Sequence, residues 1–234
     1  MIASERRIVI LRMLQEKGVI NLHEAVHTLG SSEATVRRDF EQLEREGKLQ
    51  RVQGGAMLHG WQDSIQPSMH EKRHVNLPQK RLAAARAAAL VPDGQCVFLD
   101  CGTSIVPLWE MLMKRRVKIV SNSSLLLFSK GEQRAELFLL GGTYSANHNM
   151  TYGALTKRAL QEFHFDHAFI SCFGFSLAEG KAYTLEPDSA EVKQTAILKS
   201  KQSHLLADSS KLERQGFYAF AGLSEFQSVL YDES

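Results

Sequence analysis

The sequence predicts a protein of the α/β class, divided into a short helical part and a longer part built around a parallel sheet. Residues 1–58 contain three amphipathic helix patterns and then two short strand patterns around a Gly-Gly pair. From residue 76 onward, short apolar segments alternate with helical patterns, which is typical of a Rossmann-like parallel sheet covered by helices. Residues 59–75 lack periodicity and contain Pro67, so we predict a linker between domains 1–58 and 76–234.

Composition narrows the class of protein and its location. The chain has 234 residues and a formal net charge of only +2, so any nucleic-acid binding requires a local basic patch. Charged residues appear too early for a signal peptide, and no apolar run is long enough to span a membrane. The three cysteines have no CxxC spacing. We therefore expect a cytoplasmic protein with reduced thiols and no membrane partner.

Capping residues delimit the first two helices. The first helix is predicted over Ser4–Lys17 and ends at Gly18. Asn21 is a good N-cap for the second helix, which ends at Gly30. The apolar stripe of the second helix has the i, i+3, i+4, i+7 spacing of a buried face and comprises Leu22, Ala25, Val26 and Leu29.

A third helix and a hairpin complete a winged helix-turn-helix. Ser31 or Ser32 caps the third helix, and Gly47 closes it. The stretch "KLQRVQGGAML" then predicts two short strands joined by a turn at Gly54–Gly55. The order of two helices, a short turn, a further helix region and a hairpin predicts that this domain binds DNA.

The third helix and the hairpin, or wing, contain the candidate DNA-binding residues. A helix-turn-helix presents the N-terminal half of its second helix to the major groove, where Arg37 and Arg38 would reach phosphate or guanine. Short hydroxyl side chains and the wing cations suit phosphates, and the wing glycines permit a close approach. The residues predicted to bind double-stranded operator DNA are Ser31, Ser32, Thr35, Arg37, Arg38, Lys48, Arg51, Gly54 and Gly55. For the third helix taken alone, a solvated helix of mixed charge is the alternative.

The segment "HEAVH", from His23 to His27, matches the spacing of a zinc-peptidase motif. Two histidines four residues apart share a helix face and suit zinc, with Glu24 as general base. The predicted helix is barely two turns long, and its buried stripe is the adjacent face. We therefore predict no metal site here, and no metal or cofactor elsewhere in the chain.

Polar residues follow several predicted strands and would meet at the carboxyl edge of the sheet, where ligands of such sheets usually bind. The turn Gly102–Ser104 offers N–H groups and two hydroxyls for a phosphate, and Asp100 suits sugar hydroxyls. Gly141–Gly142 would leave room for a ligand, while Lys211, with Lys193 as a second candidate, would supply counter-charge. The predicted effector site comprises Asp100, Gly102, Thr103, Ser104, Ser121, Asn122, Ser123, Gly141, Gly142, Lys193 and Lys211. Each cluster taken singly is equally compatible with an ordinary turn.

Two sets of motifs resemble the DeoR family of bacterial sugar-metabolism regulators. Arg6, the run Ser32–Phe40 and the stretch "LEREGKLQRVQGGAML" resemble its DNA-binding signature. From about Glu71 to Tyr231, segments including "DGQCVFLDCGTS", "VSNS", "FLLGG", "FDHAFIS" and "LLADSSK" resemble its C-terminal domain. The resemblance implies a fold related to sugar-phosphate isomerases such as ribose-5-phosphate isomerase. It also implies a repressor that releases or rearranges DNA when a phosphorylated sugar binds.

One stretch departs from the family pattern. Relatives usually carry an acid in the turn after the "AFIS" strand, whereas this chain has Phe173-Gly174-Phe175. An isomerase needs a positioned base, commonly a carboxylate, so this difference weakens an enzymatic interpretation. It also questions the usual contact with a sugar hydroxyl. Cys101 is a smaller departure, at a position where a serine is common.

These observations predict a transcriptional repressor of a sugar or polyol catabolic operon, relieved by a phosphorylated sugar or polyol, and not an enzyme. We expect a homo-oligomer, a dimer or a tetramer, because one winged helix reads too few base pairs for operator specificity. One alternative is a sugar-phosphate isomerase-like enzyme fused to a DNA-binding module. Another is an activator or a constitutive DNA-binding protein with a degenerate pocket.

Overall fold

The chain forms two compact units, Met1–Pro67 and Ser68–Ser234. The computed structural model describes residues 2–17, 19–52, 54–58 and 69–233. The predicted helix end at Gly18 and residues 59–68 of the predicted linker lie outside the described residues. No helix within these described ranges is long and apolar enough to cross a membrane.

The first unit combines helices with a small antiparallel sheet of strand order β1-β3-β2. Its elements are α1 (Ala3–Lys17), β1 (Val19–Asn21), α2 (Leu22–Leu29), α3 (Glu33–Arg45), β2 (Leu49–Val52) and β3 (Gly55–Leu58). Leu14, Val36 and Phe40 are buried in the core that joins the helices. The sequence predicts each of these elements except β1, whose three residues are too few to show a pattern.

Capping side chains and a left-handed glycine fix both ends of α2 and the start of α3 as predicted. Asn21 Oδ1 accepts a hydrogen bond from Glu24 N at 2.7 Å, and Ser32 Oγ accepts one from Thr35 N at 3.4 Å. Gly30 ends α2 with a φ of 56°, a conformation that costs a residue with a side chain more than glycine. The caps therefore delimit the short turn between α2 and α3.

A six-stranded parallel sheet lies at the centre of the second unit. Its strands are β4 (Cys96–Leu99), β5 (Lys118–Ser121), β6 (Glu136–Leu139), β9 (Phe165–Ser171), β12 (Ser200–Leu206) and β14 (Ser228–Leu230). The spatial order is β14-β12-β9-β4-β5-β6, and each neighbouring pair is parallel. Each of these strands contains one of the short apolar segments that alternate with helical patterns after residue 76, which confirms the prediction of a parallel α/β sheet. Their carboxyl ends share one edge, called here the carboxyl edge.

Apolar cores lie on both faces of this sheet. The helices of the unit are α4 (Met69–Lys72), α5 (Leu77–Ala89), α6 (Ile105–Leu112), α7 (Ala154–Gln161) and α8 (Pro187–Leu198). Successive strand residues alternate between the faces, so Phe98 packs in one core and Leu99 in the other. Trp109 of α6 is buried with Leu99, and its Nε1 donates to Leu126 O at 3.0 Å. Helices and apolar side chains cover both faces of the sheet, so the loops that follow the strands form its carboxyl edge.

Two regions differ from the sequence prediction. Residues 69–75 are not linker, because Met69–Lys72 is a helical turn of the second unit whose end is held by a hydrogen bond from Lys80 Nζ to Lys72 O. Two small antiparallel sheets also escape prediction, since most of their strands have only three or four residues. They are formed by β7 (Thr143–Ser145) with β8 (Met150–Tyr152), and by β10 (Gly174–Ser176), β11 (Lys181–Thr184) and β13 (Tyr218–Gly222).

Candidate functional site

The predicted recognition helix α3 exposes two adjacent arginines in different states. Arg38 is exposed and makes no hydrogen bond or ion pair with the residues that the structure describes. Arg37 is exposed as well, but its guanidinium is paired with Glu33 at 2.5 Å. Ser32 Oγ and Thr35 Oγ1 lie 2.8 Å apart at the start of the helix. Arg38 is therefore the predicted cation most available for a base or a phosphate.

Acidic side chains at the end of α3 hold the two predicted wing cations. Arg51 Nε lies 2.8 Å from Glu44, and Arg51 Nη1 lies 3.0 Å from Glu41. Hydrogen bonds from the Arg51 backbone and side chain lower the pKa of Glu44. Lys48 Nζ is paired with Glu46 at 2.7 Å. Exposed pairs of this kind are weak, so DNA phosphates are able to compete for both cations.

The remaining predicted DNA-binding residues have structural tasks in the described unit. Gly54 has a φ of 85° and open space around it, as a turn glycine should. Gly55 is required by close packing and not by its turn conformation. A Cβ there would lie 2.1 Å from Ile20 O, so glycine allows β1 to pair with β3. Ser31 Oγ donates to Leu29 O at 3.3 Å and closes the turn between the helices.

A partly buried ion pair, not predicted from the sequence, ties α1 to α3. Arg6 Nε donates to Asp39 Oδ2 at 2.7 Å, and Arg6 Nη2 reaches Oδ1 at 3.4 Å. Asp39 is 6% exposed, although it lies in the helix that would enter the groove. The fork of the guanidinium matches the carboxylate, so the pair fixes how the recognition helix sits on its own domain.

A buried charge network lies under the carboxyl edge of the sheet. Asp100, after β4, accepts hydrogen bonds from Lys193 Nζ and from the backbone and hydroxyl of Ser171. Burial opposes both charges, yet the Lys193 ammonium leaves the pKa of Asp100 below its ordinary value and the carboxylate leaves the pKa of Lys193 above its own. Both groups are therefore ionised.

The expectation that Lys193 provides counter-charge to a phosphate needs correction. Its hydrogen bonds go to Asp100 Oδ2, Ser171 O and Ser171 Oγ, and its charge is offset by Asp100. The same network supports the predicted phosphate turn from below, because a Cβ at Gly102 would lie 2.1 Å from Ser171 Oγ. Lys193 thus positions Asp100 and the turn.

Two other lysines reach the hydroxyls of the predicted phosphate turn. Lys80 Nζ donates to Thr103 Oγ1 at 3.1 Å, and Lys211 Nζ donates to Ser104 Oγ at 3.2 Å. Lys80 is 3% exposed, and its pKa is lowered to about 8, first by burial and then by the charge of Lys211. The sequence predicts Lys211 but not Lys80, which resembles any other polar residue of the Ala-rich helix α5.

The polar residues after β5 are buried beside this turn. Ser121 Oγ accepts a hydrogen bond from Ser123 N at 3.0 Å, and Asn122 Nδ2 donates to Thr151 O at 2.9 Å. Asn122 Oδ1 and Asp100 Oδ1 are both buried and lack a hydrogen-bond partner among the described residues. Two acceptors at the ends of neighbouring strands therefore remain available.

Glycine is needed after β6 because of a neighbouring helix, and not, as expected, to leave room for a ligand. Gly142 has a φ of 144°, and a Cβ there would lie 2.0 Å from Thr156 Oγ1. Thr156 Oγ1 in turn donates to Gly141 O at 2.8 Å. Gly142 therefore lets α7 approach the end of β6.

The histidines and cysteines are the residue types in this chain most suited to bind a metal ion, and the sequence predicts no metal site among them. Within the described ranges, no group of three or more His, Cys, Asp or Glu side chains is arranged to hold a metal ion. His23 and His27 of the "HEAVH" segment are exposed. Cys101 lies in the predicted effector turn, with its Sγ 3.4 Å from Met150 Sδ, and burial raises its pKa to about 12. Burial likewise raises the pKa of Cys172 to about 11, and that of Cys96 above its ordinary value.

Family models cover almost all of the chain. A model described as a DeoR-like helix-turn-helix domain matches residues 6–60, and one described as a DeoR C terminal sensor domain matches residues 75–233. The chain belongs to the DeoR family. This confirms the resemblance and the predicted fold class, and it classes the chain as a DNA-binding transcriptional regulator and not as an enzyme.

Several regulators resemble this DeoR-family chain over nearly their whole length. An uncharacterized HTH-type transcriptional regulator FruR of Bacillus subtilis is 31% identical, covering 99% of this chain and 92% of the relative. A lactose phosphotransferase system repressor of Staphylococcus epidermidis is 30% identical, covering 96% and 90%. A ribose 5-phosphate isomerase from Methanocaldococcus jannaschii is 16% identical, covers 58% of this chain and 55% of its own, and has a TM-score of 0.42. The family assignment rests on the family models and on the two regulators, and not on the isomerase.

Proposed function

We propose that this DeoR-family chain represses a sugar or polyol catabolic operon and that a phosphorylated sugar or polyol, bound by the second unit, relieves repression. The observation that supports it most is the pairing of Lys80 with Thr103 and of Lys211 with Ser104 at one turn of the carboxyl edge. The ammonium of Lys80 is buried, and among the described residues it donates hydrogen bonds only to neutral oxygens, while Asp208 attracts it without a hydrogen bond. A phosphate dianion at this turn would supply the missing counter-charge.

The sugar or polyol part is supported by the two unpartnered acceptors. Asp100 Oδ1 and Asn122 Oδ1 would each accept a hydrogen bond from a hydroxyl, and leaving them unsatisfied is costly in a buried site. Both side chains are buried, so a ligand enters only when neighbouring loops move. The names of relatives as repressors of a lactose phosphotransferase system agree with a carbohydrate effector.

The DNA contact is supported by the unengaged Arg38 and by the hydroxyls of Ser32 and Thr35 at the start of α3. We place α3 in the major groove and the wing, with Lys48 and Arg51, on the adjacent phosphates. A homo-oligomer, a dimer or a tetramer, would present two such units to an operator with two-fold symmetry.

A link between effector and DNA is supported by the residues that begin the second unit. The ring of His70 makes an edge-to-face contact with Phe128, beyond β5, with ring centroids 4.9 Å apart. Lys72 O accepts a hydrogen bond from Lys80 Nζ at 2.7 Å. Asn76 Nδ2 donates to Asp208 Oδ1 at 3.1 Å, beyond β12. Residues 69–76 therefore contact the segments beyond β5 and β12, and reach the segment beyond β4 through Lys80. A phosphate that draws Lys80 away from Lys72 would loosen the segment that continues into the DNA-binding unit.

The deciding experiment measures DNA binding with and without effector. Full-length protein selects a duplex from a random-sequence library, and fluorescence anisotropy then follows its release by a panel of phosphorylated sugars and polyols. We expect at least one phosphorylated compound, and not its unphosphorylated form, to release the duplex. Thr103→Ala should bind the duplex normally but respond far less, whereas Thr195→Ala, whose hydroxyl donates within α8 to Glu191 O, should respond normally. A normal response of Thr103→Ala would contradict the proposed phosphate position.

A further inference from the structure

A second cation lies beside the phosphate turn, on the segment that follows β12. The chain turns between Lys211 and Arg214, where Arg214 N donates to Lys211 O at 3.4 Å. Lys211 reaches Ser104, beyond β4, whereas the Arg214 guanidinium lies 3.9 Å from the ring centroid of Phe173, beyond β9. The two cations are thus directed to the ends of two different strands at the same edge.

Local packing fixes Arg214 over Phe173. A Cβ at Gly174 would lie 1.9 Å from Arg214 O, so glycine allows the two segments to touch. The neighbouring Glu213 directs its carboxylate elsewhere, to the hydroxyl of Ser176 and to Leu177 N at 2.8 Å. A guanidinium that lies over an aromatic ring keeps its N–H donors around its own edge, where they suit a planar or tetrahedral oxyanion.

Positive charge accumulates around these residues. The pKa of Lys72 is lowered first by burial, with Glu186 acting in the opposite direction and both Arg214 and Lys211 lowering it further. Among the residues that the structure describes, neither Lys211 nor Arg214 has a carboxylate within ion-pair distance. The contacts they do make are with a hydroxyl and an aromatic ring.

We propose that the effector carries a second anionic group, a phosphate or a carboxylate, which Arg214 binds while the first phosphate occupies the turn Gly102–Ser104. This inference rests on the proposed function, because it needs the first phosphate to be bound there. The ligand class is then a sugar bisphosphate or a phosphorylated sugar acid. Phe173 serves as the platform that orients the guanidinium.

Calorimetric titration of the full chain with matched probes tests the second subsite. The probes are glucose 6-phosphate, glucose 1,6-bisphosphate, 6-phosphogluconate, fructose 6-phosphate and fructose 1,6-bisphosphate. At least one doubly anionic probe should bind roughly tenfold more tightly than the monophosphate of the same sugar skeleton. Arg214→Gln should remove that advantage and leave the Kd of the monophosphate unchanged. Arg134→Gln, just before β6 at the opposite edge, is the matched control and should keep the advantage.

The outcomes separate this inference from the proposed function. If the doubly anionic probes show no advantage, or Arg214→Gln weakens both kinds of probe equally, the second subsite is wrong and the phosphate turn stands. If no probe binds, or Thr103→Ala binds the monophosphates as tightly as the natural chain, the phosphate turn itself fails and the inference fails with it. Comparing 6-phosphogluconate with glucose 1,6-bisphosphate distinguishes a carboxylate from a phosphate.

Discussion

Lys80 carries its charge in a place where burial disfavours charge. Its lowered pKa of about 8 means that the ammonium is mostly charged at pH 7 and mostly neutral at pH 9. A phosphate bound at this turn would favour the charged form, so ligand binding and protonation of Lys80 would support each other. The sequence does not identify this residue, because its neighbours Thr103 and Lys72 O are brought to it by the fold alone.

The affinity for a sugar monophosphate should therefore fall as the pH rises. Between pH 7 and pH 9 we expect the Kd to increase by roughly tenfold, the factor by which charged Lys80 is depleted. Lys80→Met should bind more weakly at pH 7 and lose most of this pH dependence. Calorimetric titration at the two pH values measures both effects, with Lys118→Met at the exposed amino end of β5 as control. A pH-independent Kd of the natural chain would contradict the role of Lys80.

Arg38 and Arg45 offer a matched comparison on one helix. Both are exposed arginines of α3, but Arg38 lies in the half expected to face the groove and Arg45 lies in its last turn. Arg38→Ala should weaken specific operator binding by about 1–3 kcal/mol, because a bidentate contact with guanine is lost. Arg45→Ala should change it far less. Anisotropy titrations with the selected duplex measure both, and equal effects would argue against the assigned groove face.

At the scale of elements, two strands of the central sheet share a buried histidine pair. His167 Nδ1 of β9 lies 3.0 Å from His204 Nε2 of β12, and His204 Nδ1 lies 2.8 Å from Ser228 Oγ of β14. Burial, and then repulsion by His167, lower the pKa of His204 to about 4. Burial also lowers the pKa of His167, although Asp166 acts in the opposite direction. Both rings are therefore neutral in the folded chain at pH 7.

This pair should make the second unit sensitive to acid. Below about pH 6.5 these histidines bind protons in the unfolded chain but remain neutral in the folded chain. The free energy of unfolding therefore falls as the pH falls. For His204 alone we expect a loss of about 2 kcal/mol between pH 7 and pH 5. Urea unfolding at both pH values measures it. His204→Gln should flatten the dependence, while the exposed His164→Gln should not. Identical pH profiles of all three proteins would contradict this account.

Elements with strong local signals are predictable from the sequence, and elements created by tertiary contacts are not. The six strands of the parallel sheet contain short apolar runs, and those of β4, β5, β9 and β12 are largely buried, so each strand is visible locally. Strand β1 exists because it pairs with β3, and the small antiparallel sheets are short strands over loops. The same limit applies to the site: the turn Gly102–Ser104 is visible as a motif, whereas the separate tasks of Lys80 and Lys193 depend on which side chains the folded sheet places beside them.

At the scale of the whole molecule, one recognition helix per chain sets the assembly that operator binding requires. A single winged helix contacts one half-site, so specific recognition needs at least two copies. We expect light scattering after gel filtration to give twice or four times the mass of one chain, and two chains to bind each selected duplex. Arg38→Ala should leave this mass unchanged, since Arg38 is predicted to face the DNA. A monomer that binds the duplex specifically would contradict the expectation.

The cysteines of this chain have a practical consequence. A thiol reacts as its thiolate, and burial keeps all three native thiols protonated at neutral pH. The native cysteines should therefore react slowly with maleimides, so that an introduced cysteine is labelled selectively. One exposed cysteine introduced in the wing would carry a fluorophore at a defined position, and its anisotropy would follow the DNA-binding unit while effector is added to the other unit. If effector binding changes the DNA-binding unit as proposed, this anisotropy would report it, because Cys101, packed against Met150, stays unlabelled.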